Sequence, residues 1–134
     1  MITMNVNIDG LKELLPKFSK LPEVVAKATE DAAITIRNLV IGRTPVDTGA
    51  LKSSWSAVKR TSGGFSFEND KEYAVIVEEG RYTGLGPRTV RQQGGIYSRQ
   101  APGGMLAPIL ADEDLLNRMA NKIAEQIVKG LKDV

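Results

Sequence analysis

Arg81, Arg88, Arg91 and Arg99 fall in one stretch with no Asp or Glu between Arg81 and Ala111. Tyr82, Tyr97, Gln92, Gln93 and Gln100 are interspersed among them. Guanidiniums without a counter-charge, mixed with aromatic and amide side chains, can grip phosphate or the carboxylates of an acidic protein surface. The composition predicts a flexible basic arm that orders on binding. It leaves open whether the target is nucleic acid or protein, or whether the arginines only keep a solvated loop soluble. The total charge does not decide this, because +2 is too little to argue for a nucleic-acid binder.

The chain has no cysteine and no histidine. Disulfides, thiolate nucleophiles and cysteine zinc sites are thereby excluded, as is Ser-His-Asp or Cys-His catalysis within this chain. Four carboxylates, Glu68, Asp70, Glu78 and Glu79, lie close in sequence. Read as strand neighbours, Glu78 and Glu79 point to opposite faces, so they act as surface charges and partners of Arg81 rather than as an acid–base pair. Gly84-Leu85-Gly86-Pro87 lacks the Lys-Ser or Lys-Thr and the following helix that a phosphate loop requires. No catalytic residue, metal ligand or cofactor site is expected, and the chain does not read as an enzyme. Met1 to Gly10 lacks the basic and apolar regions of a signal peptide, and no apolar run approaches the roughly 20 residues that span a bilayer. The protein is expected to be made and used in the cytoplasm, with no membrane partner.

The elements that must position these groups follow from periodicity. With 42% hydrophobic and 25% charged residues, the 134-residue chain is expected to fold as one domain over residues 1–134. Ile8, Leu11, Leu14, Leu15, Phe18 and Leu21 are spaced as one helix face, with Asp9 as N-cap and a kink or break at Pro16. Pro22 suits the first position of a longer helix, Pro22 to Ile41. That helix carries Val25, Ala28, Ala32, Ile36 and Leu39 on one face and stops near Gly42, with Pro45 behind it. Ser53 to Lys59, Gly64 to Glu68 and Tyr73 to Glu78 read as three strands of an antiparallel meander, turning at Ser62-Gly63-Gly64 and Asn69-Asp70-Lys71. Trp55 reads as a core or sheet-face anchor. Gly80 to Ala107 carries seven glycines, Pro87 and Pro102, and no apolar period. It is expected to be a long mobile loop. An amphipathic C-terminal helix follows, carrying Ile109, Leu110, Leu115, Leu116, Met119, Ile123, Ile127 and Leu131, with Asp112 as a cap. The predicted class is α+β: a small antiparallel sheet packed by two N-terminal helices and one C-terminal helix.

Thr44 to Trp55 stands apart. Pro45 forbids continuation of the helix, Asp47 and Thr48 can bind backbone amides in a tight turn, and Gly49 permits a conformation closed to other residues. Leu51 is expected to tuck under the sheet. On these grounds alone the stretch is a structured corner between helix and strand.

Pro-Val-Asp-Thr-Gly-x-Leu-x-x-Ser, met here at Pro45, Asp47, Thr48, Gly49, Leu51 and Ser54, resembles the hallmark of a bacteriophage family. That family comprises the tail-completion or neck (head–tail joining) proteins of long-tailed phages. Two further elements of its pattern occur in order, the aromatic-led segment Tyr73 to Gly80 ending in Glu-x-Gly and the apolar-Pro-apolar element Met105 to Leu110. The long arginine-bearing segment between them departs from the pattern, as does Pro16.

The resemblance implies a structural virion protein assembled in the host cytoplasm, a ring subunit at the head–tail interface. Its ring, hexameric by analogy, would bridge the tail tube or tail terminator and the head connector, with DNA in its lumen. The free subunit would be monomeric or weakly associated. Tail terminators are similar in size and topology and form the nearest alternative. A small nucleic-acid-binding protein using the basic loop is the alternative of another class.

Overall fold

A computed structural model of the chain describes residues 1–7 and 21–132. The expected first helix, with its face from Ile8 to Leu21, its cap Asp9 and its break at Pro16, lies outside the described residues except for Leu21, which opens the next helix. The class is α+β as expected. Helix α1, Leu21–Arg43, is slightly longer than its periodicity indicated. Its inner face carries Val25, Ala28, Ala32, Ala33, Ile36 and Val40, all buried. Leu39, expected on that face, is instead 38% exposed, and the core position belongs to Val40.

The three-stranded sheet is antiparallel but is not the expected meander. Its order is β1-β3-β2, with β1 at Ile2–Asn7, β2 at Lys59–Thr61 and β3 at Gly64–Asn69. The polar terminus thus supplies an edge strand. Ile2, Met4 and Val6 alternate with Thr3 and Asn5, and Met4 and Val6 stand opposite Phe67 and Phe65 in register. Phe65 and Phe67 are both buried, as their shared face required. Only Lys59 of the expected strand Ser53 to Lys59 is in a strand. Before it come a short helix, α2 at Ala50–Ser53, and an isolated bridge from Trp55 to Asn69.

Tyr73 to Glu78 is not a strand but most of helix α3, Glu72–Glu79. Its run of Val75, Ile76 and Val77 mimics β propensity, yet tertiary packing decides. Ala74 and Val77, three residues apart, are the two positions of α3 with no exposure, and Tyr73 and Val75, two residues apart, do not share a face. Gly80 ends α3 at φ 68°, ψ 41°, and the N–H of Arg81 bonds to the carbonyl of Ile76 at 3.0 Å.

Gly80 to Ala107 also departs from expectation, because it contains regular structure. Strands β4 (Thr89–Gln92) and β5 (Gly95–Ser98) form a hairpin. It turns at Gln93 (φ 50°) and Gly94 (φ 82°), the double left-handed geometry whose twist matches the strands. The C-terminal helix is split into α4 at Ala107–Leu110 and α5 at Glu113–Lys132. Asp112 caps α5 as expected, its Oδ1 accepting from the N–H of Leu115 at 3.1 Å. Along the apolar stripe Ile109 is buried, Leu115, Leu116, Met119, Ile123 and Ile127 are half-buried, and Leu110 and Leu131 are exposed. α5 packs mainly on α1, and no helix among the described residues is long and apolar enough to cross a membrane.

Candidate functional site

The corner after α1 is held from inside. Thr44 is buried, donates its Oγ1 hydrogen to the Val40 carbonyl at 2.8 Å and accepts from Trp55 Nε1 at 2.9 Å. Trp55, 3% exposed, meets Phe67 edge-on at 5.7 Å between ring centres, so the expected anchor role holds. Gly49 has φ 85°, a left-handed conformation that starts α2. Thr48 Oγ1 accepts from the N–H of Ala50 at 3.3 Å, and Ser54 Oγ donates to the Ala50 carbonyl at 2.7 Å. Leu51 is buried, and its carbonyl accepts from Asn69 Nδ2 at 2.8 Å. Half-buried Pro45 ends the run of α1. Asp47 does not bind local amides as its type suggested. Its side chain is 86% exposed and faces Arg88 Nη1 at 3.8 Å.

The carboxylates separate in the structure. Glu79 pairs with Arg81 at 2.6 Å, as the sequence suggested. Glu78, on a helix and not on a strand, accepts from the backbone N–H groups of Met105, Leu106 and Ala107. From the end of α1, Arg43 donates to the carbonyls of Pro102 at 2.9 Å and Gly104 at 3.0 Å. Neither tie had a signal in the sequence beyond the Glu-x-Gly pattern, because both join residues remote along the chain.

The four arginines do not form one cluster. Arg88 and Arg99 are cross-strand neighbours one step beyond Thr89 and Ser98, joined by a backbone bond from Arg99 N–H to the Arg88 carbonyl at 2.9 Å. Arg91 pairs in register with Ile96 and lies on the other face of β4 from Arg88. Arg91 and Arg99 are exposed and have no ionic partner among the described residues.

Hairpin and corner enclose a cavity of about 450 Å³. Its apolar wall includes Val46, Leu51, Tyr73 and Tyr82, and its charged lining is Lys71 and Arg88 with the single carboxylate of Asp47. Gln100 closes one side, its Oε1 accepting from the N–H of Val46 at 3.0 Å. Tyr73 and Tyr82 share a hydrogen bond of 2.8 Å between their hydroxyls. Burial, and after it this bond, pushes the Tyr82 phenol above the usual tyrosine range. The arrangement offers an apolar recess with hydrogen-bonding walls and a basic lip, the chemistry of a docking surface.

Residues 8–80 match the model of the family described as "Bacteriophage HK97-gp10, putative tail-component". The chain belongs to this family. As an HK97-gp10-like protein it is a phage tail component. The matched span takes in the corner, β2, β3 and α3, and closes at Gly80, directly before the arginine-bearing segment of this tail component. No curated protein and no solved structure matches the chain.

Proposed function

We propose that this chain completes the tail at its head-proximal end and joins tail to head, as a subunit of a hexameric ring in the virion. The family match carries the reading, because its span includes both the Pro45 to Ser54 corner and the Tyr73 to Gly80 segment. The third motif element supports it, since Glu78 of the second binds the amides at Met105 and Leu106 that open the third. Tail tube or terminator and head connector are the proposed partners. The exposed guanidiniums of Arg91 and Arg99 are available to them or to DNA in the lumen.

Electron microscopy of particles from a phage lacking this protein tests the role. Tails of normal length and filled heads that stay apart are expected. Joined, complete virions would overturn the reading. Overlong tails would reassign the chain to tail termination, because a terminator is what stops tube growth.

A further inference from the structure

We propose that copies of this chain meet head to tail, the acidic corner between α4 and α5 of one copy seating in the cavity beside the arginine hairpin of the next. The ring of the proposed function supplies the setting, and the contact rests on that reading for its biological role.

The receiving surface is apolar at its centre and basic at its lip. Val46 and Tyr73 are 49% and 46% exposed, a large apolar area to leave in water at a structured recess. Lys71 and Arg88 stand on the rim, and Arg99 lies across the hairpin from Arg88. Like charges directly opposite on a sheet repel, so carboxylates arriving there relieve a cost the free subunit carries. Asp47 does little to relieve it, since the Arg88–Asp47 pair is 3.8 Å apart with side chains 87% and 86% exposed.

The entering surface has the opposite chemistry. Leu110, at the end of α4, is 45% exposed. Asp112, Glu113 and Asp114 follow it, all exposed. Asp112 is used as the α5 cap. The carboxylates of Glu113 and Asp114 have no cationic partner among the described residues. An apolar knob flanked by acids thus matches an apolar recess flanked by bases, the layout of a buried anchor with a charged rim.

The two surfaces are separate on one molecule. The Arg88–Arg99 end of the hairpin lies at the cavity. Its far end lies beside α4, where a Cβ at Gly103 would stand 3.2 Å from Gln92 Nε2 and 3.5 Å from Pro108 Cγ. Four strand residues span roughly 13 Å. A contact between different surfaces is heterologous and repeats around a ring, whereas a two-fold dimer would use one surface twice.

The absence of native cysteine makes the contact directly testable. Val46→Cys protein is mixed with Leu110→Cys protein under mild oxidation, and disulfide-linked dimers are quantified. Mixed dimers should exceed both same-variant dimers, and the Val46→Cys/Leu110→Cys double variant should give a ladder or closed rings. Adding Arg88→Glu and Arg99→Glu to the Val46→Cys protein should lower the mixed product on the order of tenfold. Adding Glu113→Lys and Asp114→Lys to the Leu110→Cys partner should restore it. Where the Lys pair lowers the melting temperature, Glu113→Gln with Asp114→Gln replaces it, and reduced linking to unmodified Val46→Cys protein is then expected. No excess of mixed dimers, or indifference to charge reversal, overturns the contact. Unchanged linking with loss of salt-sensitive DNA binding in the Arg→Glu variants would also overturn it, assigning the arginines to DNA. Charge-dependent linking alongside normal head–tail joining in the deletion phage keeps the contact and removes the neck role. The reverse pattern keeps the role and removes the contact.

Discussion

Glu78 holds the backbone of Met105, its Oε1 accepting from that N–H at 2.7 Å and from Leu106 N–H at 2.8 Å, while Oε2 takes Ala107 N–H at 3.1 Å. One carboxylate thereby satisfies the amides that open α4, where no residue of the turn itself offers a cap. The fit is close: a Cβ at Gly104 would stand 2.6 Å from Glu78 Oε2 and 2.8 Å from its carbonyl oxygen. Glu78→Ala is expected to destabilise by about 3 kcal/mol, because charge-assisted bonds are lost and a buried amide is orphaned. Glu78→Gln, which keeps one acceptor oxygen, should lose less. Urea denaturation checks both, and wild-type stability in Glu78→Ala would show that water replaces the carboxylate freely.

Thr44 and Trp55 form a second buried tie, and the single tryptophan reports on it. Thr44→Val keeps the shape and removes the oxygen, leaving the indole N–H without its 2.9 Å acceptor. A loss of about 1–3 kcal/mol is expected. A shifted emission maximum in the folded state should accompany it, and an unshifted spectrum with unchanged stability would contradict the prediction.

The corner glycine is constrained by backbone angle, not by space. Nothing lies within 4 Å of a Cβ built at Gly49, yet its φ is 85°. Gly49→Ala is expected to cost about 1–2 kcal/mol, and Gly49→Val more. Gly42 lies near the end of α1 with equal room and no positive φ, so Gly42→Ala should stabilise by about 0.5–1 kcal/mol. Asp47→Ala should leave the melting temperature nearly unchanged, since its side chain binds no amide. Calorimetry on the four variants separates strain from capping.

Much of this was legible in the sequence, and the failures share a cause. Helix α1 could be read because Pro22 and Pro45 bracket a long period, and Asp112 because a cap acts within its own turn. Helix α3 reads as a strand in the sequence because eight residues rich in Val and Ile fit either period, and the choice belongs to the core around Ala74 and Val77. The hairpin leaves no clear signal in the sequence because β4 and β5 have four residues each, and Gly94 and Gly95 resemble the rest of the surrounding glycine-rich segment. Arg88 and Arg99 were recognised as binding candidates. Their pairing, and the recess shared with Val46 and Tyr73, depend on contacts across tens of residues that no local pattern encodes.

A pH dependence follows from Tyr82. Its phenol is held above the ordinary value of 10.0 in the folded chain, burial being the main cause. The folded state therefore favours the neutral form. That contribution is complete below pH 10 and is lost as the pH climbs from there toward the raised folded value. Melting temperatures from pH 8 to 12 should fall more steeply for the wild type than for Tyr82→Phe. Parallel curves would mean that the phenol titrates as freely in the folded chain as in the unfolded one.

The ties around α1 also set an order of events in folding. Thr44 reaches Trp55 across 11 residues, whereas Arg43 reaches Gly104 across 61. Closing the longer loop costs more chain entropy and waits for the hairpin and α3 to form. These spans predict a corner that forms in the nucleus and an arginine clasp that shuts after it. Stopped-flow kinetics should then show Thr44→Val slowing folding, while Arg43→Ala leaves the folding rate alone and speeds unfolding. The segment bearing the hairpin would be the last part of the subunit to settle during synthesis and the first to come loose under stress.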